Sequence, residues 1–467
     1  LRNRDTLERV TKQNRVLIVS ILVAFVAFLD GAVITVALPA IRVDLGGGLV
    51  VQQWVVGGYL ITLGAFILTA GSLSDSFGRL RIMRIGLYGF GVASLACALA
   101  PTGLVLVAAR VLQGAAGALL VPSALALIIA NFSRGEQGKA IGTWTAWTTA
   151  AFLAGPVLGG LLVDYANWRW VFAINVFPIA AALVLMRGFG AQDEAPHRAK
   201  VDYLGAALGI IGLGGPVYGL IEHERLGWSS PGVYLPIAVG VLALAVFLWW
   251  ESRAAEPMVP LGVFRIRNFG FGNLATLFIY GALGFGGFVL SVFVQEVGKY
   301  PATLAGLVSL PTGVLLIALS PRIGALASRY GARTFMTLGP LVLAIGYLYL
   351  LLVTAEVNYW TQLFPAVVLM GLGIAITVAP LTSATLGAVE QARAGIGSAI
   401  NNAVARIAGL VTVACTGLIV GARLDLAGFH RAAVVAAALL AIGGAVSFAG
   451  IRKAPADAVS APAAAAS

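Results

Sequence analysis

Fourteen apolar stretches occupy most of this 467-residue chain and constrain its fold more than any motif does. They lie at roughly 16–37, 54–73, 83–100, 104–130, 140–163, 170–187, 203–222, 234–250, 271–295, 303–320, 334–354, 361–380, 397–421 and 430–451. Each is near the ~20 residues that a helix needs to cross the hydrocarbon of a bilayer. An all-α integral membrane protein with 14 transmembrane helices is therefore expected. Composition agrees, since 60% of residues are hydrophobic and only 10% charged, outside the range of soluble domains. The first stretch, Val16–Ala37, is too long for a signal-peptide core and no small-residue cleavage site follows it, so it reads as a retained helix.

Charge placement gives an orientation. Of the 30 Lys and Arg residues, 22 fall in alternate loops on the side of the N-terminus, six on the other side, and two, Arg110 and Arg406, within stretches. The positive-inside rule then puts both termini in the cytoplasm and the chain in the cytoplasmic membrane. The net charge of +11 is spread in short clusters between apolar runs, so it speaks for topology and not for nucleic acid.

An internal repeat divides the chain. GSLSDSFGRLR (Gly71–Arg81) follows the second stretch, and GALASRYGAR (Gly324–Arg333) follows the tenth. Both carry Gly, Leu two residues on, Gly seven on, and then Arg; Ser328 stands where the first copy has Asp75. Repeated halves with a substrate site between them are how many secondary transporters are built. The expected organisation is a cytoplasmic N-terminus (1–15), a six-helix half (16–187), an inserted helix pair (203–250), a second six-helix half (271–451) and a disordered tail (452–467).

Asp30 is the only carboxylate well inside any stretch. A carboxylate at membrane depth is costly and should face a bundle interior or a wet cavity, with proton or ion traffic as its default role. Cys97 and Cys415 lie within apolar stretches, and the three histidines have no ligand spacing, so no metal or disulfide framework is expected. GLGGP (Gly212–Pro216) sits inside an apolar helix, and no phosphate loop, cofactor site or nucleophile constellation is evident. The chain is not expected to be an enzyme, and its energy would come from an ion gradient. Proton fits better than sodium, because Asp30 has no oxygen cage around it.

Several motifs in sequence resemble those of the major facilitator superfamily, specifically its fourteen-span drug:proton antiporters. LDGAVITVALP (Leu29–Pro39), GSLSDSFGRLR, RVLQGAAGA (Arg110–Ala118), AFLAGPVLGG (Ala151–Gly160) and WRWVFAINVFP (Trp168–Pro178) carry the likeness, which covers nearly the whole chain. The first Gly of the antiporter signature is Ala151 here, a small departure. The resemblance implies a major facilitator fold and export of drugs, dyes or antibiotics in exchange for protons by alternating access. It also implies that Gly71, Asp75, Gly78, Arg79 and Arg81 form a latch between halves, against the plainer reading as a topology loop. Gly155, Pro156, Gly159 and Gly160 would shape a hinge or seal, since the proline removes a helix hydrogen bond and the glycines admit a neighbouring backbone.

Arg110 needs a partner at its depth. Asp30, Gln113 and carbonyls near Gly31 are candidates, and snorkelling to the outer surface is the rival. An arginine beside Asp30 would favour the ionised carboxylate, so moving it would change proton affinity. Trp54, Tyr59, Gln113, Trp144, Trp147, Asn273, Tyr280, Asn401 and Asn402 are candidates for a substrate cavity, although any single one is more often packing or interfacial belt than ligand. The resemblance implies that some relatives hold dications with an extra acid in the tenth stretch; Leu304–Ser320 has none, and Glu222 and Glu296 are expected at wet segment ends. Neutral or monocationic amphipathic substrates are therefore expected, handled by a monomer. A dedicated carrier of one metabolite or antibiotic, and a non-transporting sensor or scaffold, remain as rivals.

Overall fold

The computed structural model describes residues 2–187, 189, 201–254, 257–390, 394–421 and 423–452. Its helices are α1 (Arg2–Leu45), α2 (Gly48–Phe77), α3 (Arg79–Ala98), α4 (Gly103–Ala118), α5 (Leu120–Asn131), α6 (Arg134–Tyr165), α7 (Trp170–Ala173), α8 (Val176–Met186), α9 (Tyr203–Leu226), α10 (Pro231–Glu251), α11 (Arg267–Glu296), α12 (Ala302–Val308), α13 (Leu310–Tyr330), α14 (Ala332–Tyr349), α15 (Phe364–Leu386), α16 (Ala394–Ala414), α17 (Thr416–Val420) and α18 (Leu426–Gly450). There is no strand among the described residues. This is what lipid demands, since a helix bonds its own backbone polar groups where no water can. The expected tail, 452–467, lies outside the described residues beyond Arg452.

Thirteen helical stretches among the described residues are long and apolar enough to span a membrane. The expected 14 would add the sixth stretch, Trp170–Met186, which is an apolar helical segment shorter than the other thirteen. It is also broken between α7 and α8. Pro178 has no N–H to give the Ile174 carbonyl four residues back, and its ring crowds that carbonyl, so the chain turns at Ile174–Asn175. The same cause acts at Pro122, which separates α4 from α5 at Leu119.

The repeat seen in the sequence is repeated in the backbone. Gly78 ends α2 with φ 93° and ψ 128°, and Gly331 ends α13 with φ 98° and ψ 138°. The two amides close the same way, Gly78 onto the Ser74 carbonyl and Gly331 onto Ala327. A side chain rarely adopts such angles, so both turns need glycine.

Two groups of helices result. α1 packs on α6, α5 and α8, while α4 packs on α2 and α3; in the second group α11 lies on α18 and α16, and α14 on α15 and α18. α9 and α10 pack on each other, with α9 also against α2 and α16.

The groups meet through α1–α11, α2–α16 and α6–α12. Strong polar links cluster at the pole where α1 ends, here the Leu45 pole. The Asp164 carboxylate accepts from the amides of Ala302 and Thr303 at 3.0 and 2.7 Å, capping α12. Glu296 pairs with Arg42 at 2.9 Å and accepts from Gln52 at 2.8 Å. The Gln53 amide donates to the carbonyls of Val413 and Ala414. Between these, Gly160 and Gly306 bring backbone against backbone: a Cβ on Gly160 would lie 2.5 Å from the Ala302 carbonyl, and one on Gly306 would collide with that of Pro156. Nearer mid-depth, Ser291 donates to the Thr35 carbonyl at 3.0 Å. Beside this bond, Gly31 and Gly287 leave a space that an added Cβ would not fill.

Candidate functional site

Asp30 is 1% exposed and every oxygen of its carboxylate is bonded. Oδ2 accepts from Arg110 at 2.6 Å. Oδ1 accepts from the amides of Gln113 and Asn175, both at 2.9 Å. Arg110, also 1% exposed, donates through Nε to the Val55 carbonyl at 3.0 Å and from the Asp30-bound nitrogen to Gln113 Oε1 at 2.6 Å. The Gln113 amide reaches Ser94 Oγ at 2.8 Å, and the Cys97 thiol lies 3.7 Å from Gln113 Oε1. The Tyr59 ring sits 4.2 Å from the guanidinium carbon, and Phe172 lies 5.7 Å away.

Local sequence places each part. Arg110 and Gln113 are one turn apart on α4 and so share a face. Asn175 lies at the junction of α7 and α8 and is fully buried. A buried ion pair holds only when further hydrogen bonds satisfy its remaining donors and lone pairs. Here they nearly all are; Asn175 Oδ1 is a buried atom without a partner. Chemically, this is a buried carboxylate that accepts from Arg110 and Gln113 on α4 and from Asn175 at the junction of α7 and α8. Protonating it would release Arg110.

The snorkelling alternative for Arg110 is thus excluded by its burial, and the carbonyl it uses belongs to Val55 on α2, not to the region of Gly31. Tyr59 and Gln113, proposed as cavity residues, are instead buried parts of this network. Trp54 also faces away from the space between the groups: it donates to Glu222 at 2.8 Å and packs on Tyr218 of α9. Glu222 is accordingly buried, with Arg225 as its second partner, and Glu296 is paired with Arg42. Neither is the free, wet acid expected, because each neutralises a donor that the packing brings in.

Asn401 bonds Asn273 and Thr276, and so clamps α16 to α11 within the second group. Asn402 is exposed and bonds only the Ser398 carbonyl of its own helix. Trp144 donates to the Ser20 carbonyl at 3.2 Å, Trp147 is 54% exposed, and Tyr280 is half-buried. Gly155 and Gly159 lie against Ala32 and Val33 of α1, so with Pro156 they set the α1–α6 and α6–α12 contacts. A Cβ on Gly71 would meet nothing, and Arg79 and Arg81 lie at the start of α3. The Asp75 side chain lies outside the described residues. Among the described residues no group of side chains could hold a metal.

Ser94, Asn175 and Phe172 complete the network and were not singled out from the sequence. The signal for two of them was present in WRWVFAINVFP. In the same motif, Trp168 and Arg169 both bond Asp44 at the end of α1, at 3.0 and 2.6 Å.

Residues 20–413 match the family model described as Major Facilitator Superfamily. The chain is 34% identical over 407 residues to multidrug resistance protein Stp of Mycobacterium tuberculosis, covering 86% of this chain and 74% of that one. It is 34% identical over 408 residues to the methylenomycin A resistance protein of Bacillus subtilis, covering 87% of each. Among solved structures, the inward open xylose transporter XylE from E. coli aligns over 95% of this chain and 98% of that one, with a TM-score of 0.65 at 14% identity. With these matches added to the motifs and the helical architecture, the chain belongs to the Major Facilitator Superfamily and is a membrane transporter, not an enzyme.

Proposed function

We propose that the chain exports lipophilic small molecules across the cytoplasmic membrane in exchange for protons, with Asp30 as the proton-carrying group. One observation carries this reading: a fully buried carboxylate whose only cationic partner, Arg110, sits on a different helix. Protonation from the outer face would discharge the pair and free Arg110, and deprotonation to the cytoplasm would restore it. A two-state element biased by a titrating group is what coupling requires. The resistance names of the relatives support drugs and antibiotics as the cargo class.

In this reading the helices form two six-helix halves and an inserted pair, 14 spans in all, with Trp170–Met186 as the short sixth. Both termini are cytoplasmic, as the 22 to 6 charge bias suggests, which makes the Leu45 pole the outer face. The polar links and glycine contacts there describe an outward seal, and Gly71–Arg81 the latch of the opposite state. The relative named for methylenomycin A favours a second reading, in which the cargo is one antibiotic. An efflux panel in a pump-deficient host separates the two.

The test is Asp30→Asn in energised everted vesicles. Gradient-driven dye efflux should be lost while the protein still reaches the membrane, and a protonophore should abolish wild-type efflux. Unchanged efflux in the variant would sink the proposal.

A further inference from the structure

Arg110 and Arg406 are the two basic residues placed within spans by the sequence, and the structure treats them in opposite ways. Arg110 is answered by Asp30. Arg406, near the middle of the span Gly395–Ala414, has no hydrogen bond or ion pair to any described residue. Its guanidinium lies 5.8 Å from the ring of Phe28 on α1, across the boundary between the two groups of helices. A cation–π contact recovers only part of the cost of a cation at membrane depth, where such charges are normally paired.

The surroundings explain what is missing. Tyr280 is half-buried on α11 and precedes Gly281, where an added Cβ would lie 3.1 Å from Thr412 and 3.6 Å from the Ala408 carbonyl of α16. Asn402, one turn back on α16, is exposed and its amide is bound only within its own helix. Gly31, beside Asp30, and Gly287 on α11 front open space between the groups. Of the acids on neighbouring elements, Asp30 is committed to Arg110, Glu222 to Trp54 and Arg225, and Glu296 to Arg42 and Gln52, while Glu224 of α9 lies beside Gly417 of α17. The wall of this space therefore carries a positive charge with unused donors. The guanidinium fork suits a carboxylate.

We infer that Arg406, with the Asn402 amide one turn away, binds the carboxylate of an amphipathic organic acid whose apolar body lies against Phe28 and Tyr280. This rests on the export reading and narrows its cargo. It also departs from the expectation of neutral or monocationic substrates, which rested on the lack of a second acid in Leu304–Ser320 and gave Arg406 no part.

The experiment measures binding by fluorescence to the purified full chain in nanodiscs, using a dansyl-tagged fatty acid and its primary amide. The acid, ionised, should bind about tenfold tighter than the amide or more, the worth of one charged hydrogen-bonded contact. Arg406→Gln should erase that preference while leaving amide affinity unchanged, which also reports an intact cavity. Arg406→Lys should keep part of the preference, and Asn402→Ala should reduce it. Equal binding of acid and amide by the wild type, or a preference that survives Arg406→Gln, overturns the assignment. So does loss of acid and amide binding together, which would make Arg406 structural. Dye efflux is scored separately: acid preference without protonophore-sensitive efflux overturns the export reading alone, and efflux without preference overturns this one alone.

Discussion

Arg110 makes three different demands on one side chain: Nε on the Val55 carbonyl, a terminal nitrogen on Asp30, and the same nitrogen on Gln113. An ammonium on a flexible stem cannot reproduce that fork. Arg110→Lys should therefore lose dye efflux although the charge is retained; a lysine variant with wild-type efflux would reduce the site to simple charge pairing. Gln113→Leu should lower stability by about 1–3 kcal/mol, because it leaves Asp30, Arg110 and Ser94 each short of a buried partner. Thermal unfolding in detergent reads that loss. Asp30, Arg110 and Gln113 were legible in the sequence because charge and amide groups stand out against apolar runs. Which way Arg110 points was not, since that depends on how close α1 and α2 come. Asn175 stayed hidden because its bond to Asp30 spans 145 positions.

Turns and breaks decide the elements. Apolar stretches located nearly every helix, but they could not show that Pro122 and Pro178 would divide two of them, or that the sixth would be shorter than the rest. The repeat was readable as spacing, and its cause became plain only in the backbone, where Gly78 and Gly331 share one glycine-only conformation. Gly78→Ala and Gly331→Ala should each cost about 1–3 kcal/mol of stability and should do so to a similar degree. Unequal losses in detergent melts would mean that the two turns are not equivalent. The aromatic residues show the limit of reading an element alone. Trp54 and Tyr59 occupy one helix and looked alike, yet one serves α9 and the other shields a guanidinium.

For the molecule as a whole, the halves are joined at the Leu45 pole by a few polar links around a contact of bare backbone. Gly306→Val should hold that pole apart, since the valine would collide with the Pro156 carbonyl. In a background without Cys97 and Cys415, a cysteine at Thr303 should then react several-fold faster with a membrane-impermeant thiol reagent applied on the Leu45 side, the outer face in the proposed orientation. No change in rate would show that the contact does not control access. The network around Asp30 has a consequence of a different kind. With this carboxylate 1% exposed and both its oxygens taken by side chains, a proton has no open path to it in this form, so its entry should wait on a movement of the helices. Many copies could then sit in one membrane without draining its voltage, and each proton admitted would be matched to a change of shape.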